Sequence, residues 1–269
     1  AEHHRHIGTD RLPPARRHPA VSTLGPVLVD LLPKLLVASV AAFALALLSA
    51  VAGFGGGVLL LPVFTALFGL RAAIPILTLT QLSSNGSRIW FNRSELRWSP
   101  IGWFALGAIP CAVVGGLLLA HAPLSPLKRL LGAFLIAVVI WRRLRPEPRK
   151  PPEPAFGAVG AVSGLGSALL GSVGPLTAPF FLALGLTRGA YIGTAAASAL
   201  TMHFTKIATY GAGELLTAQV LLFGIALTPA SLLGTWAGKK IVGCISDHLF
   251  VLLVEIGLIV AGVIFLLGL

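Results

Sequence analysis

The stretch GFGGGVLLLPVFTALFGLRAAIPILTLTQLSSNGSRIWF, residues 53–91, combines a glycine cluster, a short apolar segment and a longer segment that ends in polar side chains. The short segment, residues 56–69, has fewer than the about 20 residues that a straight helix needs to cross a bilayer. Glycine permits sharp turns, and a helix that begins inside the membrane directs backbone N–H groups at an anion. The stretch therefore predicts a broken helix in a membrane protein, with close helix packing as the alternative use of the glycines.

The composition of the whole chain excludes a soluble domain. Apolar residues make up 56% and charged residues 11% of the 269 positions, and the mean hydropathy is +0.90. Soluble domains have about 25% charged residues. The apolar runs after residue 30 lack the alternation of a transmembrane β-barrel, so they predict an all-α, polytopic membrane protein. Because the net charge of +11 resides in loops and the N-terminal tail, lipid headgroups and topology explain it better than nucleic acid does.

Ten apolar segments divide the chain into two halves. They lie at about 30–52, 56–69, 72–91, 99–121, 124–141, 156–170, 174–186, 189–210, 217–240 and 247–268. Five precede and five follow RRLRPEPRKPPEP, a charged and proline-rich stretch that cannot cross a bilayer. We therefore predict a mobile basic tail (1–29), a first transmembrane repeat (30–141), a cytoplasmic linker (142–154) and a second transmembrane repeat (155–269).

The two halves resemble each other in sequence. GVLLLPVFTALFGL in the first half and GPLTAPFFLALGL in the second share a glycine, a proline five residues later and a closing Gly-Leu. Their first glycines, Gly57 and Gly174, are 174 − 57 = 117 positions apart, and Arg88 falls opposite Lys206 at nearly the same offset, 206 − 88 = 118. Internal similarity of this kind is typical of transporters built from repeats. An odd number of crossings in each half makes the predicted repeats inverted.

Polar side chains recur at helical spacing in corresponding segments of the halves. One stripe consists of Thr78, Gln81, Ser84, Asn85 and Arg88, and the other of Thr194, Ser198, Thr201, Thr205 and Thr209. Lys206 lies on the flank of the second stripe, and His203 lies beyond it. A polar helix face inside a membrane must contact protein or water, so we interpret the two stripes as walls of a polar pathway.

These patterns define a candidate site. The predicted substrate-binding residues are Gly55, Gly56, Gly57, Gln81, Ser84, Asn85, Arg88, Gly171, Gly174, Thr201, Thr205 and Lys206, and the candidates for ion coupling are His203 and Glu255. Each charged or titratable residue has a structural alternative. Arg88 can snorkel to the headgroups or form an ion pair, His203 can be a packed and hydrogen-bonded residue, and Glu255 can pair with an arginine or lysine.

The sequence predicts neither a metal site nor a cofactor. His3, His4 and His6 have no cysteine or carboxylate cluster to complete a site, and Cys111 and Cys244 are far apart. Catalytic motifs such as Gly-x-Ser-x-Gly or His-Glu-x-x-His do not occur. We therefore predict that the protein is not an enzyme and rank an intramembrane enzyme last.

Lys and Arg predict the orientation of the chain. With ten crossings and the N-terminus outside, the inner loops carry Arg93, Arg97, Arg142, Arg143, Arg145, Arg149, Lys150, Arg188, Lys239 and Lys240, ten residues, and the outer loops carry three, Arg71, Lys128 and Arg129. Positive loops stay in the cytoplasm, so this count favours both termini outside, although the basic tail opposes it. If the short segments are re-entrant, eight crossings remain and both termini lie inside. Outside the tail, the inner loops then carry seven Lys and Arg residues and the outer loops carry six.

The glycine-rich string and its weaker second copy resemble the TauE/SafE family of membrane transporters, named for export of sulfite and organosulfonates. The resemblance covers most of residues 35–268, and GxGGGxLLxP is its most specific element. It implies a multi-pass exporter of a small anion in the plasma membrane, of the bacterial inner membrane type. A proton or counter-ion for coupling and a homodimer stay open. The second copy departs from the family pattern, because it has GSVGP in place of the glycine triplet. An anion channel is the alternative to a carrier.

Overall fold

The computed structural model describes residues 20–52, 56–121, 123–144 and 150–241, and separate positions between 252 and 267. The helices are α1 (Ala20–Ala52), α2 (Gly56–Phe68), α3 (Leu70–Phe91), α4 (Trp98–His121), α5 (Leu124–Leu144), α6 (Ala155–Leu170), α7 (Gly174–Leu182), α8 (Arg188–Ala212) and α9 (Ala218–Ile241). The described residues form no strand, so the prediction of an all-α, polytopic membrane protein is confirmed. Most of the tail, Gly55, Cys244 and much of the tenth predicted segment lie outside the described residues.

Three described helices have the length and composition of membrane spans. They are residues Leu31–Leu48 within α1, the whole of α4 and the whole of α9. With 22 and 25 residues, α3 and α8 are as long, but each buries a row of polar side chains that makes it less apolar. The 13 residues of α2 and the 9 of α7 are fewer than the about 20 that a straight span needs.

Each short helix folds back against the helix that precedes it. Leu31 of α1 and Phe68 at the end of α2 line the same cavity, so these two helices run antiparallel. Phe181 at the end of α7 packs on Phe156 at the start of α6, with ring centroids 4.8 Å apart. We call α1 with α2 the first hairpin and α6 with α7 the second hairpin.

The two hairpins enter the bundle from opposite ends. The open end of the second hairpin lies beside the start of α4, where Ser99 donates a hydrogen bond to Glu153 of the linker, and we call this the linker end. The open end of the first hairpin lies beside the start of α9, where Thr217 lines a cavity with α1 and α2. These ends are opposite, because α9 finishes at the linker end, where Lys239 lies over the ring of Phe91.

The first helix of each half packs against the other half, an arrangement that we call exchanged packing. α1 packs against α9 and α6 packs against α4, so the first helix of each half contacts the fourth helix of the other. Both pairs close on a Gly-x-x-x-Gly motif that lets the two backbones touch. The motif glycines are Gly160 and Gly164, which face the carbonyls of Phe104 and Ala108, and Gly234 and Gly238, which face those of Phe43 and Leu47. This exchanged packing favours the predicted inverted repeats, which stay a prediction.

Candidate functional site

The polar stripes of α3 and α8 face each other at the centre of the bundle. Asn85 Nδ2 lies 3.0 Å from His203 Nε2. Thr78, which precedes Asn85 on α3, lies beside Tyr210, which follows His203 on α8. The two helices therefore run antiparallel. All four of these side chains are buried, so the polar stripes contact protein and not lipid.

A hydrogen-bonded chain links Arg88 to His203. Arg88 is 7% exposed and donates from its guanidinium to Asn85 Oδ1. This bond fixes the orientation of the amide, so Asn85 Nδ2 is the donor to His203 Nε2. Since Nε2 accepts, a neutral imidazole carries its proton on Nδ1, which is buried and has no hydrogen-bond partner among the described residues. The chain therefore leaves one buried N–H donor at His203.

Lys206 holds the tip of the second hairpin. Its Nζ donates to Ser167 Oγ at 3.1 Å and to the carbonyl of Gly171 at 2.9 Å. Gly171 ends α6 with φ at +82°, a conformation that favours glycine. One helical turn further along α8, the hydroxyl of Tyr210 donates to the carbonyl of Ala168 at 2.7 Å. The carbonyls at the end of α6 thus receive donors from α8 in place of a further turn of helix.

The tips of the two hairpins meet beside α3. A Cβ on Gly57, at the start of α2, would lie 1.9 Å from Gln81 Nε2 and 2.8 Å from Ser172 Oγ of the second tip. Only glycine fits here without displacing these side chains, since real Cβ atoms do not approach other heavy atoms this closely. Because the hairpins come from opposite ends, their contact places the starts of α2 and α7 inside the bundle.

A cavity of about 60 Å³ lies between α3, α7 and α8, and we call it the inner cavity. Its polar lining includes Gln81, Asn85, Arg88, Ser172, Thr177 and His203. None of the described residues that line it is acidic. The first turn of α7 also lines the cavity, and the start of a helix carries partial positive charge from its N–H groups. The surroundings are therefore positive and carry several hydrogen-bonding side chains.

The structure brings together part of the predicted site. Gln81, Asn85, Arg88, Gly174 and His203 line the inner cavity, and Gly57, Gly171 and Lys206 support it from behind without lining it. Gly56 begins α2, and Gly55 lies outside the described residues.

Three other predicted residues lie elsewhere. Ser84 hydrogen-bonds Thr235 of α9 at 3.1 Å. Thr201 and Thr205 are half-buried and donate to carbonyls of their own helix, at Ser198 and Thr201. None of the three lines the inner cavity, and back-bonding occupies the hydroxyl protons of Thr201 and Thr205. Their role in substrate binding stays a prediction.

Glu255 also lies away from the inner cavity. Its Oε2 accepts two hydrogen bonds from Arg143 of α5, from Nε at 3.1 Å and from Nη2 at 2.7 Å. This is the structural ion pair that the sequence left as the alternative to coupling.

Sequence reasoning missed several lining residues. Ser167 and Ser172 on the second hairpin, Thr177 on α7 and Tyr191 near the start of α8 all line the inner cavity. The GSVGP motif of the second half pointed to the hairpin tip, but Ser167 gains its place through Lys206, a partner 39 residues away. Nothing in the local sequence around Tyr191 distinguishes it from an interfacial tyrosine.

The chain was compared with protein families, curated proteins and solved structures. The model of the TauE/SafE sulfite exporter family matches residues 38–265, which include the later part of α1, the whole of α2 to α9 and every described residue of the inner cavity. No curated protein and no solved structure matches the chain. The matched range covers most of the 269 residues, and the chain belongs to the TauE/SafE family of sulfite exporters, a family of membrane transporters.

Proposed function

We propose that the protein is a secondary transporter that moves a small anion out of the cell across the plasma membrane. The anion is sulfite or a related sulfur-containing or carboxylate anion. The observation that carries the proposal is the inner cavity, where the buried guanidinium of Arg88 faces a space with no acidic residue in its described lining. A guanidinium binds oxyanions through charge-assisted hydrogen bonds, so an anion in this cavity can contact Arg88 directly.

The chemistry of the lining suits an oxyanion. Arg88 offers a charged fork of N–H donors, His203 offers Nδ1–H, and the hydroxyl of Ser172 can donate as well. Hydrogen bonds to charged groups are worth about 1.5–3 kcal/mol each. The oxygen atoms of sulfite can accept several of these bonds at once.

The volume of the cavity limits the substrate in this conformation. A single water requires roughly 10–15 Å³ of comparable space, so the inner cavity, at about 60 Å³, holds a few waters or one compact ion. This size favours sulfite over a longer organosulfonate, which needs a wider cavity in another state.

The arrangement of helices supports alternating access. Arg88 and Lys206 each lie three residues beyond the Asn85–His203 contact, but α3 and α8 run in opposite directions. At about 1.5 Å per residue, each is displaced by about 4.5 Å along the bundle, Arg88 towards the linker end and Lys206 away from it. Rocking of the two hairpin-bearing halves about the central contact would open the inner cavity to each side in turn.

Counterflow of sulfite tests this proposal against a channel. In proteoliposomes that contain the purified protein, we expect saturable sulfite flux that accelerates when unlabelled sulfite is present on the far side. A carrier shows this acceleration because the loaded protein reorients faster than the empty one, whereas a channel does not. Flux without saturation or counterflow would establish the channel, and flux equal to that of empty liposomes would exclude sulfite as the substrate.

A further inference from the structure

A second cavity lies at the linker end, on the other side of Arg88 from the inner cavity. It has a volume of about 250 Å³ and is formed where the end of α3, the start of α8 and the end of α9 come together. We call it the vestibule. Its lining includes Arg88, Asn92, Arg188, Thr235 and Lys239.

The vestibule concentrates positive charge. Three of its lining residues are cationic, and none of the described lining residues is acidic. One carboxylate, Glu95, lies against Gly189 at the rim, where it accepts a hydrogen bond from Thr187 Oγ1 at 2.6 Å. The side chains of Arg188 and Lys239 are exposed to the solvent of the linker end, whereas that of Arg88 is buried.

Aromatic and polar contacts hold the cationic lining in position. Lys239 Nζ lies 4.3 Å from the centroid of the Phe91 ring, a cation–π contact that keeps the ammonium over the end of α3. Asn92 Nδ2 donates to the carbonyl of Arg88 at 2.7 Å and so closes the last turn of α3 beneath the vestibule. The cluster is therefore built by three helices and does not depend on one flexible side chain.

Arg88 connects the two cavities. Among the described lining residues it is the one that lines both the vestibule and the inner cavity. An anion that leaves the vestibule towards the centre of the bundle must therefore pass its guanidinium. The exposure of the side chains decreases along this path. Arg188 and Lys239 are exposed to solvent, whereas Arg88 and then His203 are buried.

We propose that the vestibule is a separate capture site for small oxyanions, which Arg188 and Lys239 bind from the linker side before Arg88 passes them to the inner cavity. The proposal rests on the transport function proposed above and adds a second binding site to it. Clefts lined by one sign of charge raise the local concentration and the on-rate of the opposite ion, and salt weakens this effect. The capture site therefore determines the half-saturating sulfite concentration, and the inner cavity determines the maximal rate of transport.

The test compares two neighbouring lysines. Lys239 lines the vestibule, while Lys240 lies 3.9 Å above the Trp236 ring and does not line it. In inside-out membrane vesicles at low ionic strength, we expect Lys239→Gln and Arg188→Gln to raise the half-saturating sulfite concentration about three- to tenfold, with the maximal rate unchanged. Lys240→Gln should behave as the wild type, and high salt should remove the difference. An unchanged half-saturating concentration in both vestibule variants, or a lower maximal rate alone, would overturn the proposal.

A second measurement is independent of transport. A single cysteine at Ile192, which also lines the vestibule, is introduced after replacement of Cys111 and Cys244. We expect an anionic methanethiosulfonate reagent to modify it about tenfold faster than a cationic reagent of similar size, and Lys239→Gln to reduce this ratio. Equal rates for the two reagents would refute anion capture even if the protein transports sulfite. A preference for the anionic reagent in a protein without sulfite flux would instead refute the proposed transport function alone.

Discussion

A guanidinium in the centre of an apolar helix bundle requires compensation, and Arg88 obtains part of it from Asn85. The spacing of the two residues, three positions apart on α3, was visible in the sequence. His203, the partner of Asn85, is 118 positions further along the chain, and the sequence placed it only beyond the second stripe. The polar character of the site could therefore be predicted, while the pairing that orients the donors follows only from the antiparallel contact of α3 and α8.

Replacement of Arg88 should act on transport more than on insertion. Arg88→Gln removes the charge that faces the inner cavity, and loss of a charge-assisted contact worth about 1.5–3 kcal/mol should slow sulfite flux at least tenfold. Arg93→Gln is the control, because Arg93 is exposed and lies over the Trp90 ring at the same end of the bundle. Flux is measured in proteoliposomes with equal amounts of inserted protein. Wild-type flux through Arg88→Gln would remove Arg88 from the pathway.

Replacement of Lys206 should loosen the second hairpin. Lys206→Met keeps the length of the side chain but leaves Ser167 and the carbonyl of Gly171 without their donor, at a cost of about 1–3 kcal/mol. We expect a lower unfolding temperature in detergent together with slower sulfite flux. A variant with normal unfolding temperature and normal flux would show that the hairpin tip does not depend on this contact.

At the scale of the helices, glycine has two different uses in this protein. Gly160, Gly164, Gly234 and Gly238 let long helices touch backbone to backbone, whereas Gly57 lets two hairpin tips approach Gln81. The sequence pointed to the short helices and their glycines, because their length and flanking motifs recur in both halves. It could not separate the two uses, since they differ only in what lies opposite each glycine.

Addition of a methyl group at Gly57 tests whether this glycine is required for the close approach of the two hairpin tips. Gly57→Ala forces Gln81 and Ser172 out of their positions, and we expect sulfite flux to fall about tenfold or more, equivalent to about 1.4 kcal/mol or more. Gly86→Ala on α3 is the matched control, because nothing lies within 4 Å of its added Cβ. Equal flux through the two variants would mean that close approach of the tips is not required.

At the scale of the whole molecule, the exchanged pairs α1 with α9 and α4 with α6 form a frame around α3 and α8. The hydrophobicity of the chain predicted the membrane class, and the first nine of its ten apolar segments correspond to described helices. The exchange itself could not be predicted, because the contacting helices are far apart in sequence and a Gly-x-x-x-Gly motif does not indicate which helix lies opposite it. The basic residues of the linker end, such as Arg93, Arg188 and Lys239, nevertheless agree with the expected cytoplasmic side.

Labelling from the two faces of the membrane tests the inverted arrangement. Single cysteines at Ser94 and Gly211, both exposed, lie near the C-terminal ends of α3 and α8 and should react from opposite faces, Ser94→Cys from the cytoplasm. Cys111 and Cys244 are replaced beforehand. Membrane-impermeant maleimide is applied to intact cells and to inside-out vesicles. Reaction of both cysteines from one face would contradict the antiparallel crossing of α3 and α8.

The central claim is that the inner cavity binds a small oxyanion through Arg88, and equilibrium binding to the purified protein tests it most directly. Calorimetric titration with sulfite, sulfoacetate, sulfate and small carboxylates compares the wild type with Arg88→Gln. We predict saturable binding of sulfite to the wild type that weakens about tenfold or more in the variant, in keeping with a charge-assisted contact of about 1.5–3 kcal/mol. Absence of saturable binding for every one of these anions, or equal affinity of the two proteins for sulfite, would contradict the account.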